Sequence, residues 1–338
     1  MMNYLINYRS CFGQNERFRI AVVVFLCVIV LATAAIAERL VSRIELHPLQ
    51  TMTLTSAQFL NGYKQGPPAT IAGELRIPLG VEGSIPAVVL VHGAGGITVN
   101  IDPWARELNE IGISVFILDC FTGRDVGEGL VSESSVDFMT MLVDAYKALE
   151  ILANHPRIDP SRIALMGFSR GGRVALYASL KRFQHMYGPA GLEFAAYLPF
   201  YPACWTTYIE DEQVSERPIR IFHGTADNWA PIEPCRKYVM RLRKHGKDSQ
   251  LIEYPGALHV FDAPGEFIKQ FPEATGLGTC EREERPGGLV VNRETGEPWK
   301  PSDTCATKGT TLGGNPQARA EAIKSVKEFL TTTFKLNP

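Results

Sequence analysis

From residue 87 onward, short apolar-rich runs alternate with amphipathic stretches, and that alternation restricts the possible folds more than anything else in the chain. The runs are AVVLVHG (87–93), SVFILD (114–119), RIALMGF (162–168), FAAYLPFY (194–201), RPIRIFHG (217–224) and SQLIEYPG (249–256). A run of this length with no regular polar alternation suits a strand buried on both faces, as in a parallel sheet covered by helices. TIAGELRIP (70–78) does alternate with period two and reads as a half-exposed strand before them. Helices are expected at 103–111, 133–154, 171–183 and 231–245, and 316–334 closes the chain with Pro316 at its start. Repeated strand–helix–strand units with right-handed crossovers predict an α/β fold. It is an open, doubly wound, mostly parallel sheet with helices on both faces, spanning 70–338.

Three regions stand outside that pattern. Residues 38–69 read as an irregular lead-in, and 263–315, poor in apolar residues, as an excursion decorating the surface. In residues 1–37, Arg9, Arg17 and Arg19 precede the unbroken run IAVVVFLCVIVLATAAIA (20–37), which ends in the small-x-small pattern Ala35-Ile36-Ala37. This reads as a signal peptide cleaved after Ala37; eighteen apolar residues also nearly span a bilayer, so an N-terminal membrane anchor is the alternative. Either reading exports the rest of the chain, to the periplasm or beyond, with membrane contact only through that segment. A formal net charge of -2 offers no basic footprint for nucleic acid.

Export changes how the cysteines read. Five lie after residue 37: Cys120, Cys204, Cys235, Cys280 and Cys305. An odd number in an oxidising compartment leaves a thiol free or paired between chains. Cys280 and Cys305 bracket a polar, Gly/Pro-rich segment that a disulfide would staple; Cys204 and Cys235 come just after strand ends and form the second expected pair. Neither CxxC nor HxxxH spacing accompanies them, so no metal is expected.

In open parallel sheets, ligands bind beyond the carboxyl ends of the strands, so the residues just past each strand are the informative ones. After RIALMGF stands Ser169, inside Gly167-Phe168-Ser169-Arg170-Gly171, a G-x-S-x-G pattern. Such a serine sits on a sharp strand-to-helix turn with its hydroxyl exposed at the sheet's edge. The hydroxyl is a poor nucleophile until a base takes its proton. Alone, the pattern also fits a glycine-rich turn with a capping serine. After RPIRIFHG comes Asp227, and after SQLIEYPGAL comes His259. The order Ser, Asp, His, each just past a strand of one sheet, is that of α/β-hydrolases. VHGAGG (91–96) offers backbone donors for an oxyanion hole, with Ala94 and the amide of Arg170 as candidates and His92 ordering the loop. The Lys-Ser/Thr of a phosphate-binding loop is missing there, as is the dinucleotide fingerprint, so no cofactor is expected.

Together HGAGG, GFSRGG, HGTADNWAP and YPGALHVFD resemble the dienelactone hydrolase family of α/β-hydrolases, over most of residues 70–262 and again in the last helix. The resemblance implies a Ser169–Asp227–His259 triad that hydrolyses a small-molecule ester or lactone through an acyl-enzyme. The chain departs from the founding members in having serine in place of cysteine. It also lacks an arginine in HVFDAPGEFIKQ, where they bind a substrate carboxylate. Arg124, in DCFTGRD, and Trp229, beside Asp227, are candidate substrate contacts, and the 263–315 excursion is a candidate pocket rim. A non-catalytic binding protein on the same fold and a peptidase of related fold are the competing readings.

Overall fold

A computed structural model describes residues 41–124, 126, 136–276, 278–300 and 302–336; the signal peptide or anchor expected at 1–37 lies outside them. β1 (Val41–Met52), a short helix α1 (Ser56–Leu60) and β2 (Pro68–Pro78) lead into β3 (Ile85–Val91), α2 (Ile101–Glu110) and β4 (Ser114–Asp119). Next come α3 (Phe138–Ala153), β5 (Ile158–Phe168), α4 (Arg170–Tyr177), α5 (Lys181–Tyr187), β6 (Ala196–Phe200) and the two-residue β7 (Thr206–Thr207). β8 (Ile219–Gly224), α6 (Glu233–Lys244) and β9 (Ser249–Tyr254) complete the strand–helix alternation. β10 (Phe267–Gly276), β11 (Arg282–Arg285), β12 (Leu289–Asn292) and β13 (Thr307–Gly314) precede the closing helix α7 (Pro316–Phe334).

Eight strands form one sheet in the order β1-β2-β4-β3-β5-β6-β8-β9. β1 and β2 run antiparallel to their neighbours, and every pairing from β4 to β9 is parallel. The two-sided burial inferred from the apolar runs is visible in β3. Ala87, Val89 and Val91 pack in one cluster with Phe138, Val174 and Tyr238, while Val88 and Leu90 join Trp104, Ala322 and Val326 in the other. Helices therefore cover both faces, and the carboxyl ends of the parallel strands converge on one edge.

The lead-in is not irregular. From residue 41 it forms a twelve-residue edge strand paired with β2 from Val41↔Pro78 to Met52↔Pro68. The hydrophobic pattern is silent there because backbone pairing holds the strand; Ile44 and Leu46 face solvent. The helix expected at 171–183 is two helices. The segment 213–215 crosses at the break, where Lys181 donates to the Gln213 carbonyl (2.9 Å) and Ser215 to that of Ser179 (2.7 Å). In the excursion β10 pairs with β13, while β11 joins β12 and β7. Both expected disulfides are present, Cys204–Cys235 and Cys280–Cys305, with Cα atoms 4.9 and 5.0 Å apart. Among the described residues Cys120 is the free thiol, and it is buried. Among the described residues no helix is long and apolar enough to cross a membrane.

Candidate active site

β5 runs directly into Ser169 and α4. Ser169 has φ 53° and ψ −109°, a backbone conformation that non-glycine residues seldom adopt. The neighbouring glycines make this turn possible. A Cβ on Gly167 would lie 2.0 Å from the Gly171 carbonyl oxygen, and one on Gly171 only 2.1 Å from that of Val91. The elbow is thus a sequence-specified structure, and the Ser169 amide is held by the Phe200 carbonyl at 3.0 Å.

His259, in the loop after β9, places Nε2 2.9 Å from the Ser169 hydroxyl and Nδ1 2.7 Å from Asp227 Oδ2. Facing a carboxylate, Nδ1 carries the proton, which leaves the Nε2 lone pair to accept from Ser169. The three residues drawn from separate strand ends form one hydrogen-bonded chain. Asp227 Oδ1 accepts the amides of Trp229 (2.9 Å) and Ala230 (2.8 Å). Burial favours its neutral form, but the His259 charge and the donors on His259 and His223 outweigh that and hold the carboxyl well below the usual range.

The loop after β3 is ordered by His92. Its Nε2 accepts the Cys120 amide (3.1 Å), so the ring proton sits on Nδ1 and is donated to the Gly93 carbonyl (2.8 Å). Burial lowers the pKa of this ring. Ala94 lines the pocket beside Ser169, and Arg170 opens α4 immediately after it. The buried Arg170 side chain donates to the Val136 carbonyl at 3.1 Å.

The pocket holds about 190 Å³ and is walled by Phe168, Tyr201, Trp229, Val260, Phe267 and Leu312. Trp229 stacks on His259 at 5.9 Å, and the excursion supplies Phe267 and Leu312. Apart from His259, no lining residue among those described is ionisable near neutral pH. Arg124 is not a substrate contact. Its guanidinium forms a bidentate pair with the buried Asp144 (2.8 and 2.9 Å) and also reaches Thr53 and the Cys120 and Met52 carbonyls. Those partners consume its donors and anchor the loop after β4 to β1.

Two site residues escape sequence reasoning. His223, near the end of β8, is fully buried; its Nε2 donates to the Ala230 carbonyl (2.8 Å) and lies 3.3 Å from Asp227 Oδ2. Asp262 is also fully buried, accepting Asn100 Nδ2 (2.9 Å), Trp104 Nε1 (2.8 Å) and the Tyr201 hydroxyl (2.5 Å). Only their nearness in sequence to Asp227 and His259 hints at either.

The sequence profile of the dienelactone hydrolase family matches residues 71–278. The chain belongs to that family. It is a carboxylic ester hydrolase with the α/β-hydrolase fold. A protein of Bradyrhizobium sp named probable 2-oxo-3-(5-oxofuran-2-ylidene)propanoate lactonase is 24% identical over 191 residues, which cover 54% of this chain and 75% of that one. Among solved structures, a dienelactone hydrolase-like promiscuous phosphotriesterase from metagenomic libraries superposes with a TM-score of 0.53 at 16% identity, covering 86% of this chain and 98% of its own. Thermogutta terrifontis esterase 2 with propionate bound gives 0.52 at 19% identity, covering 79% and 91%. At such identities these two structures speak for the fold.

Proposed function

We propose that this family member is an exported serine hydrolase that cleaves an uncharged ester or lactone through an acyl-enzyme. The observation that carries the reading is the Ser169–His259–Asp227 hydrogen-bonded chain at a strained elbow. Ser169 Oγ attacks the carbonyl carbon while His259 Nε2 takes its proton; Asp227 keeps the ring oriented and stabilises the imidazolium. The amides of Arg170 and Ala94 hold the oxyanion. His259 then protonates the departing alkoxy oxygen, and water repeats the sequence on the acyl-enzyme. Among the described residues the wall is apolar and carries no counter-ion, which favours a neutral acyl group, because a carboxylate buried there would lose its hydration without a partner. The leading apolar run supports export, as do two disulfides, which persist in oxidising compartments.

Fluorophosphonate labelling together with hydrolysis of p-nitrophenyl acetate tests the mechanism. The expected result is one label per chain, lost in Ser169→Ala, with turnover falling by roughly 10⁴-fold or more. Turnover in Ser169→Ala near the parent rate would move the chemistry elsewhere. A well-folded parent that neither labels nor turns over would instead favour a binding role.

A further inference from the structure

On the far side of β1 from Ile44 and Leu46, a second cluster has no part in the hydrolase site. Glu45 and His47, two apart on one strand, share a face. His155, just after α3, completes the group with ligand atoms all within 4.8 Å of one another. We propose that Glu45, His47 and His155 bind one divalent ion of the zinc class, which ties the edge strand to the end of α3.

Two of the three ligand spacings match that ion, and the third is within 4.8 Å. Zinc bonds of about 2.0–2.1 Å to nitrogen and oxygen set neighbouring tetrahedral ligands about 3.3 Å apart. Glu45 Oε2 lies 3.2 Å from His47 Nε2 and 3.2 Å from His155 Nε2. His47 Nε2 is buried and makes no hydrogen bond, an orphan that a metal would satisfy. Two imidazoles and one carboxylate favour zinc and its neighbours over calcium or magnesium, which take oxygen ligands. Water fills the fourth position.

Loading requires one local adjustment. Arg43 Nε, 2.8 Å from Glu45 Oε1, can stay on the oxygen that does not ligate. His155 Nδ1 accepts the Arg157 amide at 3.2 Å, so the neutral ring carries its proton on Nε2. Metal binding at Nε2 moves that proton to Nδ1 through solvent and gives up the long Arg157 bond. The site is invisible to motif spacing because 110 residues separate Glu45 from His155.

The test is a titration of EDTA-stripped full-length protein with zinc chloride, monitored by calorimetry and thermal unfolding. One equivalent should bind with a dissociation constant below about 100 µM and raise the unfolding temperature. His47→Ala and His155→Ala should each weaken binding at least about tenfold, a tenfold change being 1.4 kcal/mol, with ester hydrolysis intact as the measure of folding. Glu45→Gln, which keeps hydrogen-bonding capacity but removes the anionic ligand, should do the same. His259→Ala should leave the affinity unchanged. Binding weaker than about 100 µM in the parent, or undiminished by either histidine substitution, or abolished by His259→Ala, overturns the site.

Discussion

At the scale of single residues, Asp227 carries the most interactions in the site, and its ionised form is what they support. Two amides, His259 and His223 all face its oxygens. Asp227→Asn keeps the shape, but its amide nitrogen opposes the His259 proton and favours the wrong tautomer. Turnover should fall by roughly 10³–10⁴-fold with little change in KM, measured by steady-state kinetics. The same carboxyl makes a prediction about stability. Its folded pKa is depressed, so its contribution is complete above the unfolded pKa and disappears as pH falls toward the folded value. The gap in urea midpoint between the parent and Asp227→Asn should therefore be widest near neutral pH and narrow below about pH 4–5. A gap that widened on acidification would contradict this sign. His223→Leu removes the donor that fixes Ala230 and leans on Asp227; about a tenfold loss in kcat is expected, with KM within twofold.

Between residues and the whole lie the loops that carry the triad, which are held by neighbouring elements. The His259 carbonyl accepts the Gly313 amide (2.9 Å) and the Phe261 carbonyl that of Asn315 (2.9 Å), so β13 and its exit pin the histidine loop. Val260 between them has φ 65°, a strained conformation for a β-branched residue, which this scaffold must enforce. Asp262 adds the tether to the opposite wall: Asn100 and Trp104 come from the entry and first turn of α2, and Tyr201 packs edge-on against His259 at 4.7 Å. Asp262→Asn replaces an acceptor with a donor against three donors. It should lower kcat at least about tenfold, and a double-mutant cycle with Tyr201→Phe should show coupling, because the two changes break one bond. Arg124→Met, by contrast, leaves the buried Asp144 carboxylate without its counter-charge, held by the Thr51 hydroxyl; a stability loss of about 3–5 kcal/mol with unchanged turnover per folded molecule is the expected result. The reach of sequence reasoning divides along the same line between local pattern and folded contact. Strands β3, β4, β5, β6 and β8 are legible because burial on both faces writes itself into composition, and Ser169, Asp227 and His259 because each follows a strand of the sheet; the edge strand β9 instead exposes Gln250 and Glu253, and the two-residue β7 leaves no pattern. β1 is not, since backbone pairing holds it; nor is the role of Arg124, whose partner is a carboxylate on α3 that no local pattern indicates. His223 and Asp262 act through contacts that exist only after folding.

For the molecule as a whole, the open question is how a polar excursion can form part of an apolar pocket. Residues 263–315 contain little to bury, yet Phe267 and Leu312 line the site. Covalent and backbone constraint resolves the conflict. Cys280 and Cys305 flank the open end of the β10–β13 pair, next to the Gly276↔Thr307 register position, and Thr279 donates to the Cys305 carbonyl at 3.0 Å. The bridge closes a sequence separation of 25, and Cys204–Cys235 one of 31. In the chain-entropy account each removes about 3–4 kcal/mol of freedom from the unfolded ensemble. Replacing Cys280 and Cys305 together with serine should lower the unfolding temperature by roughly 5–10 °C. Because β13 also anchors the His259 loop, fraying of this pair reaches both pocket and triad, and kcat/KM should fall more steeply with temperature than in the parent. Reductant should lower the parent's unfolding temperature by the shares of both disulfides, and that of the double variant only by the Cys204–Cys235 share. An unfolding temperature indifferent to reductant would mean that the excursion is held by its strands alone, and that the polar segment needs no staple to present Phe267 and Leu312.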